Sequence, residues 1–343
     1  METLGVVLLN MGGPTSLDAV RPFLQNLFLD REIISFGPME FARGPLARFI
    51  AKRRAEIVKK NYAMIGGKSP LAEISLQQAR ALESALAAHF DGRFAVHVVV
   101  GFSYWHPFIA EAMEELDRDG VTRVFLMPLY PHYSKTTTGS CMKTWRTLHR
   151  AKGGRRFRVL SVKAYPVDAQ YVAALGARID EGLAAFPEER RGGVTLLFSA
   201  HGTPVKLVQQ GDPYSLQIRD TVEAVMRARG NDRPYHLSFQ SKVGPAKWLE
   251  PNTVDMVKTL AAQGVTDLLV VPVAFTADHI ETLHELNIEL RREAEEAGIE
   301  SFRVTAGLND SPLYISSMAA QIIARVERRL ALEQNVRAVT AKP

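Results

Sequence analysis

Eight short apolar runs punctuate the chain, and a stretch of helical periodicity separates most of them from the next. The runs lie at 4–10, 94–101, 123–129, 157–162, 194–199, 236–240, 267–274 and 302–305. Helical patterns fall at 17–28, 46–62, 72–89, 107–119, 137–151, 168–185, 213–229, 252–263, 279–297 and 312–332. Near-continuous apolar strands alternating with helices indicate parallel sheets covered on both faces, an α/β fold. Two comparable blocks of strands are read as two doubly wound lobes, each a roughly four-stranded parallel sheet flanked by helices. Lys152-Gly-Gly-Arg-Arg156 supplies a polar, glycine-rich break. The first lobe is therefore taken as 1–155 and the second as 156–306, with a C-terminal helix over about 307–335 expected to pack back on the first. Ligands of such a fold bind outside the carboxyl ends of the strands, here in the cleft between lobes.

Composition narrows the chemistry. Cys141 is the only cysteine among 343 residues, so one chain cannot build a disulfide, a thiolate zinc site or a four-cysteine iron–sulfur cluster. The net charge of +5 comes without a long Lys/Arg tract or aromatic–basic interleaving, and nucleic acid is not an expected partner. The start, Met1-Glu-Thr-Leu-Gly-Val, has no basic n-region and reads as a strand instead of a signal peptide. No stretch approaches the ~20 apolar residues of a membrane span, so the expected location is the cytoplasm or the surface of a membrane.

The residues with chemical potential follow the strand-like runs. His201, in Ser199-Ala-His-Gly-Thr-Pro204, stands at a strand end. A lone loop histidine is most often a structural hydrogen-bonding group, but this place, matched by 278–281 in the same half, suits a neutral imidazole that ligates metal or accepts a proton. Glu281, Glu285 and Glu289 recur every four residues, which on an α-helix sets three carboxylates along one face over ~12 Å. Like charges so spaced repel, and a row of hard oxygen ligands leading toward a pocket accounts for them better than a plain surface helix. Glu289, followed by Arg291 and Arg292, reads as solvated surface. His279 stands about 200° around a helix from Glu281 and reads as a supporting residue beside Asp278.

Gly66-Gly-Lys-Ser69 resembles a phosphate loop but has Tyr62 where that loop needs glycine, and Gly139-Ser-Cys141 lacks the second glycine of a nucleophile elbow. Segment 33–50 is apolar, broken at Gly37-Pro38 and Gly44-Pro45, and runs into Lys52-Arg53-Arg54 and Lys59-Lys60. It reads either as a loop before an amphipathic surface helix or as a hydrophobic lip with cations, fit for a flat apolar ligand bearing carboxylates or for a membrane surface. Met11, Trp248 and Phe275 are candidates to line such a slot.

Taken together, these motifs resemble the ferrochelatase family. The likeness runs through Leu9-Asn-Met-Gly-Gly-Pro14, Phe28-Leu-Asp-Arg31, Ile50-Ala-Lys-Arg-Arg54 and Ile65-Gly-Gly-Lys-Ser-Pro70. It continues in Tyr130-Pro-His-Tyr-Ser134, Thr137-Thr-Gly-Ser140, Phe198-Ser-Ala-His201, Gly211-Asp-Pro-Tyr214, Gln240-Ser-Lys-Val-Gly-Pro245, Trp248-Leu249 and 272–286, and so spans about 4–330. The resemblance implies two Rossmann-like lobes flanking a porphyrin cleft and a lyase of haem biosynthesis that inserts Fe(II) into protoporphyrin IX with release of two protons. It implies catalytic roles for His201 and Glu281, as iron ligands or as the acid/base pair, with Asp278 and His279 supporting them. Arg54, Tyr62 and Ser69 match positions that hold porphyrin propionates, and Met11, Trp248 and Phe275 match residues touching the macrocycle. The implied metal-handling set is His201, Glu281 and Glu285. Iron is a substrate in this reading, and no resident cofactor is expected.

Two departures stand out: Cys141 alone excludes the C-terminal cluster of many relatives, and Ser103 occupies a position commonly held by Arg. Met11, where coproporphyrin-using relatives tend to have Tyr, favours protoporphyrin. The alternatives are a coproporphyrin ferrochelatase, a cobalt chelatase, or a non-catalytic haem or metal carrier.

Overall fold

The computed structural model describes residues 1–34, 36–154, 156–242 and 246–340, with side chains to 336. The first lobe holds β1 (Glu2–Asn10), β2 (Phe94–Phe102), β3 (Arg123–Pro128) and β4 (Arg158–Ser161), all parallel, in the order β2-β1-β3-β4. Its helices are α1 (Val20–Leu29), α2 (Arg43–Ala63), α3 (Leu71–His89), α4 (Ile109–Arg118) and α5 (Ser140–Ala151). The second lobe holds β5 (Thr195–His201), β6 (Tyr235–Gln240), β7 (Asp267–Pro272) and β8 (Ser301–Val304) in the order β6-β5-β7-β8. Around it lie α6 (Ala169–Ala184), α7 (Val205–Gln209), α8 (Tyr214–Ala228), α9 (Thr253–Ala262) and α10 (Leu290–Ala297), and α11 (Pro312–Thr340) ends the chain.

The apolar runs form strands because helices cover both faces: β3 and β7 are buried along their whole length. The edge strands β4 and β8 are only four residues long and partly exposed, which blunts the sheet edges. One hydrophobic core runs through both lobes, from Leu8 and Phe125 to Phe198 and Val271, joined by the buried rings of Tyr165, Tyr171 and Tyr314.

Two sequence expectations change here. β4 pairs with β3, so the boundary at 155/156 is set too early and the first lobe continues through Ser161. The glycine-rich break is only the turn that ends α5, where Gly153 and Gly154 take positive φ. Helix α11 packs against both α3 and α6 instead of the first lobe alone. Ser317 and Gln321 donate to Asp168, the residue that caps α6, while Glu327 and Glu333 pair with Arg93 and the buried Arg123 of the first lobe. Gly44-Pro45 does not break α2, because the proline falls in the first turn, where its missing N–H costs nothing.

The two lobes repeat one another. Leu9 pairs with Pro128 across β1 and β3 as Ser199 pairs with Pro272 across β5 and β7. That register places Met11 where the second lobe has His201. Each third strand leads to a π-helix, at Lys135–Gly139 and at Glu281–Glu289. The lobes also grip each other reciprocally: Gln78 of α3 donates to the carbonyls of Thr276 and Asn309, and Gln217 of α8 accepts from the amide of Tyr133.

Candidate active site

His201 is the last residue of β5, and Glu281 opens the π-helix after β7, so two adjacent central strands deliver both side chains to one cleft. His201 Nδ1 lies 2.8 Å from Glu281 Oε2. Tyr214 donates its hydroxyl to the His201 carbonyl at 2.9 Å, holding the strand end. With Nδ1 engaged, Nε2 is the ring nitrogen left for a ligand, and 39% of the side-chain surface stays open. Burial pulls the His201 pKa down, but the Glu281 carboxylate, the hydrogen bond to it and the charge of Glu285 outweigh this and raise it. Burial works the opposite way on Glu281, and the charge of and bond to His201 hold it below the usual carboxylate range.

Glu285 follows one turn later. Burial, then the charge of Glu281, push its carboxyl up to about 7. Ser241, at φ 64°, donates to Glu285 Oε2 at 2.7 Å and lies 3.4 Å from Glu281 Oε2, bridging the two acids. The helix here is of the i→i+5 type and not the α-helix the spacing predicts; such segments occur often at functional sites. Glu289 is half exposed and sits 3.7 Å from His284, so the row ends at the surface. Among the described residues no group of three His, Cys, Asp or Glu side chains is arranged to hold a metal. Of the expected set, His201 and Glu281 form a bonded pair and Glu285 follows, linked through Ser241.

Asp278 and His279 lie beneath this pair. Both Asp278 carboxylate oxygens are occupied by Thr282, Gly307 and Asn309. His279 is buried with Nδ1 at 3.1 Å from the Ala277 carbonyl, and burial lowers its pKa, keeping the ring neutral. Through these contacts Asp278 and His279 hold the segment that carries Glu281. Phe275 stands edge-on to His201 and against His279.

An apolar wall begins at Ile280, the residue before Glu281. Met11, Trp105 and Ile280 pack on a cluster containing the buried Tyr62, Tyr104 and the small face Ala47, Ala51 and Ala55 of α2. Ser69 is buried beside Tyr62, its backbone N–H bonded to the Pro14 carbonyl. Arg54 stands exposed on α2. Trp248 packs near Gly202 and, with Gln240 and Lys242, lines a cavity of about 450 Å³ next to the His201 strand end. Residues 243–245 of the Gln240 motif, and Ser35 of the lip, lie outside the described residues. Ser103 places its hydroxyl 3.2 Å from the buried Cys141 thiol, whose pKa burial raises to about 11.

Sequence reasoning assigned no role to Tyr130, Tyr214 or Ser241. Burial first, and then the Glu281 charge, raise the phenols of Tyr62 and Tyr214, while for Tyr130 burial is followed by Cys141 and then Glu281. Three tyrosines from three segments thus lie close enough to sense the Glu281 charge. The signals were the Tyr130-Pro-His-Tyr and Gly211-Asp-Pro-Tyr motifs, whose distance in sequence from 281 hides their convergence.

Comparison with known proteins gives a consistent answer. The ferrochelatase family model matches residues 3–326. The ferrochelatase of Geotalea uraniireducens (strain Rf4) is 46% identical over 318 residues, 93% of this chain and 96% of that one. That of Gloeobacter violaceus is 44% identical over 328 residues, covering 94% and 98%. Among solved structures, SirB from Bacillus subtilis with Fe3+ aligns at a TM-score of 0.49 and 16% identity, over 72% of this chain and 87% of that one. The extent of the match, end to end through both lobes and across the His201–Glu281 cleft, shows that the chain belongs to the ferrochelatase family.

Proposed function

We propose that His201 and Glu281 are the reaction centre at which this lyase inserts Fe(II) into protoporphyrin IX, releasing two protons. The observation that carries the reading is the 2.8 Å pair at the open strand end, with an apolar wall that begins at Ile280, next to Glu281. A planar porphyrin gives up two pyrrole N–H protons as the metal enters, and these need an acceptor on one face. His201 Nε2 takes a proton when the ring is neutral, Glu281 stabilises the imidazolium, and Glu285, poised near neutrality and linked through Ser241, receives protons behind it. Met11, an apolar residue in that wall, supports protoporphyrin over the more polar coproporphyrin. Arg54, exposed on α2, is the cation this reading assigns to a propionate. With Cys141 alone, no iron–sulfur cluster belongs to this reading.

The lip extends the proposal to location. Among the described residues no helix is long and apolar enough to cross a membrane. Yet Phe41 is 90% exposed, and Met39 and Phe49 are more than half exposed, beside the exposed cations Lys52, Arg53 and Arg54. Arg43 anchors this segment through the carbonyls of Phe28 and Ile34. This face suits peripheral contact of a cytoplasmic enzyme with an anionic membrane. Sedimentation with anionic vesicles checks it, and a protein wholly left in the supernatant refutes it.

The activity test is absorbance of the metalloporphyrin formed from protoporphyrin IX with Fe(II) or Zn(II). Catalytic turnover, lost in His201→Ala with porphyrin binding retained, is the expected result. Stoichiometric binding without turnover would mark a carrier, and turnover with coproporphyrin or with cobalt alone would mark the other chelatases.

A further inference from the structure

Asn309, remote from the cleft in sequence and between β8 and α11, makes a two-point bond to the segment that launches the catalytic π-helix. Its Oδ1 accepts from the Asp278 amide at 2.9 Å, and its Nδ2 donates to Asp278 Oδ2 at 2.8 Å. The other oxygen, Oδ1 of Asp278, accepts from the Gly307 amide at 3.1 Å and from the Thr282 hydroxyl at 3.0 Å. Thr282 lies one residue past Glu281, so these bonds bracket Glu281. The Asn309 carbonyl in turn accepts from Gln78 of the first lobe at 2.8 Å, and its amide donates to the Thr276 carbonyl.

The local backbone is built for this contact. Asn309 takes φ 49°, a left-handed conformation that Asn tolerates better than most residues. A Cβ on Gly307 would come within 2.8 Å of the Asp278 nitrogen, so only glycine allows the approach. The donors that reach the Asp278 carboxylate are neutral: a backbone amide, a hydroxyl and a side-chain amide. The group is held for its geometry and not paired with a cation.

We propose that Asn309 is a positioning residue for the reaction, clamping Asp278 so that the first turn of the π-helix holds Glu281 against His201. The proposal rests on the reading of Glu281 as part of the reaction centre. It assigns Asp278 a geometric duty, in which its negative charge as such is dispensable.

Exchange of the two residues separates geometry from charge. Asn309→Asp sets two carboxylates against each other, and Asp278→Asn faces two amides. The double variant Asp278→Asn with Asn309→Asp restores every donor and acceptor while moving the charge to position 309. Zinc insertion into protoporphyrin IX is followed for kcat and KM, with thermal melts to check folding and Glu281→Gln run alongside. Each single variant is expected to lose roughly tenfold to a hundredfold in kcat with KM nearly unchanged, and the double variant to recover to within about threefold of the parent. A folded double variant as slow as the slower single variant overturns the proposal, as do single variants of parental kcat. Thr282→Val, nearly isosteric, removes one donor to Asp278 and gives an independent arm: kcat falls severalfold at constant KM, and parental kcat counts against the clamp. Parental turnover in Glu281→Gln would instead overturn the reading of the site on which the clamp rests.

Discussion

Replacing Glu281 by Gln keeps the shape and a hydrogen-bond acceptor for His201 but removes the charge. With Nδ1 and Oε2 at 2.8 Å, the centres of the ring and carboxylate charges are roughly 4–5 Å apart, an attraction of about 3–4 kcal/mol at an effective dielectric near 20. His201 keeps 39% of its side-chain surface open, and solvent screening reduces the effect to about 1.5–3 kcal/mol. Without that charge the histidine pKa falls, since against burial, which lowers it, the Glu281 carboxylate and its hydrogen bond are the main causes that raise it. The sign follows from its role: a base must be neutral to accept a pyrrole proton, so the parent loses activity as pH falls through the raised His201 pKa. In Glu281→Gln the acid limb of kcat/KM for zinc insertion moves to lower pH, while the plateau rate also falls. Stability follows the same linkage. The contribution of the raised histidine is complete below its unfolded pKa and is lost as pH rises through the folded one. The stability gap between parent and variant in urea is therefore wider at pH ~6 than at pH ~9. An acid limb that stays in place or moves upward, in a folded variant, refutes the coupling of this pair.

Further tests follow from single contacts. Tyr214→Phe deletes the bond to the His201 carbonyl and should cost about 1 kcal/mol, roughly fivefold in kcat, with little change in KM; an unchanged rate argues against any role for Tyr214 in holding the strand end. Gly13→Ala places a Cβ 2.6 Å from Ser69 Cβ and 2.5 Å from its Oγ, and should destabilise by about 1–3 kcal/mol in urea unfolding. A Ser69→Gly background should relieve that loss, and failure to do so would mean the strain lies elsewhere.

Local pattern and tertiary arrangement divided the information unevenly. All eight strands stand within two residues of the apolar runs, because burial on both faces leaves a continuous signature along the chain. His201 was legible as the polar residue that ends such a run. Glu281 was legible too, from its acidic spacing, although that spacing implied an α-helix. The π-helix was not legible, since the four-residue spacing of the acids looks the same in sequence whether the backbone bonds i→i+4 or i→i+5. Nor was the lobe boundary, because a glycine-rich turn looks the same whether or not the next strand joins the same sheet.

By itself, then, the sequence determined the α/β class, the two sets of strands and the strand ends where chemistry collects, all consequences of periodic burial. Its motifs also carried the resemblance to the family that the comparisons bear out. Only the tertiary structure decided that Met11 and His201 occupy matching places in repeated lobes. Only it brought Tyr62, Tyr130 and Tyr214 within reach of one carboxylate's charge, and gave Asn309 a grip on the helix that carries it. These are contacts between residues far apart in the chain, and spacing within a segment holds no record of which distant segment will pack against it.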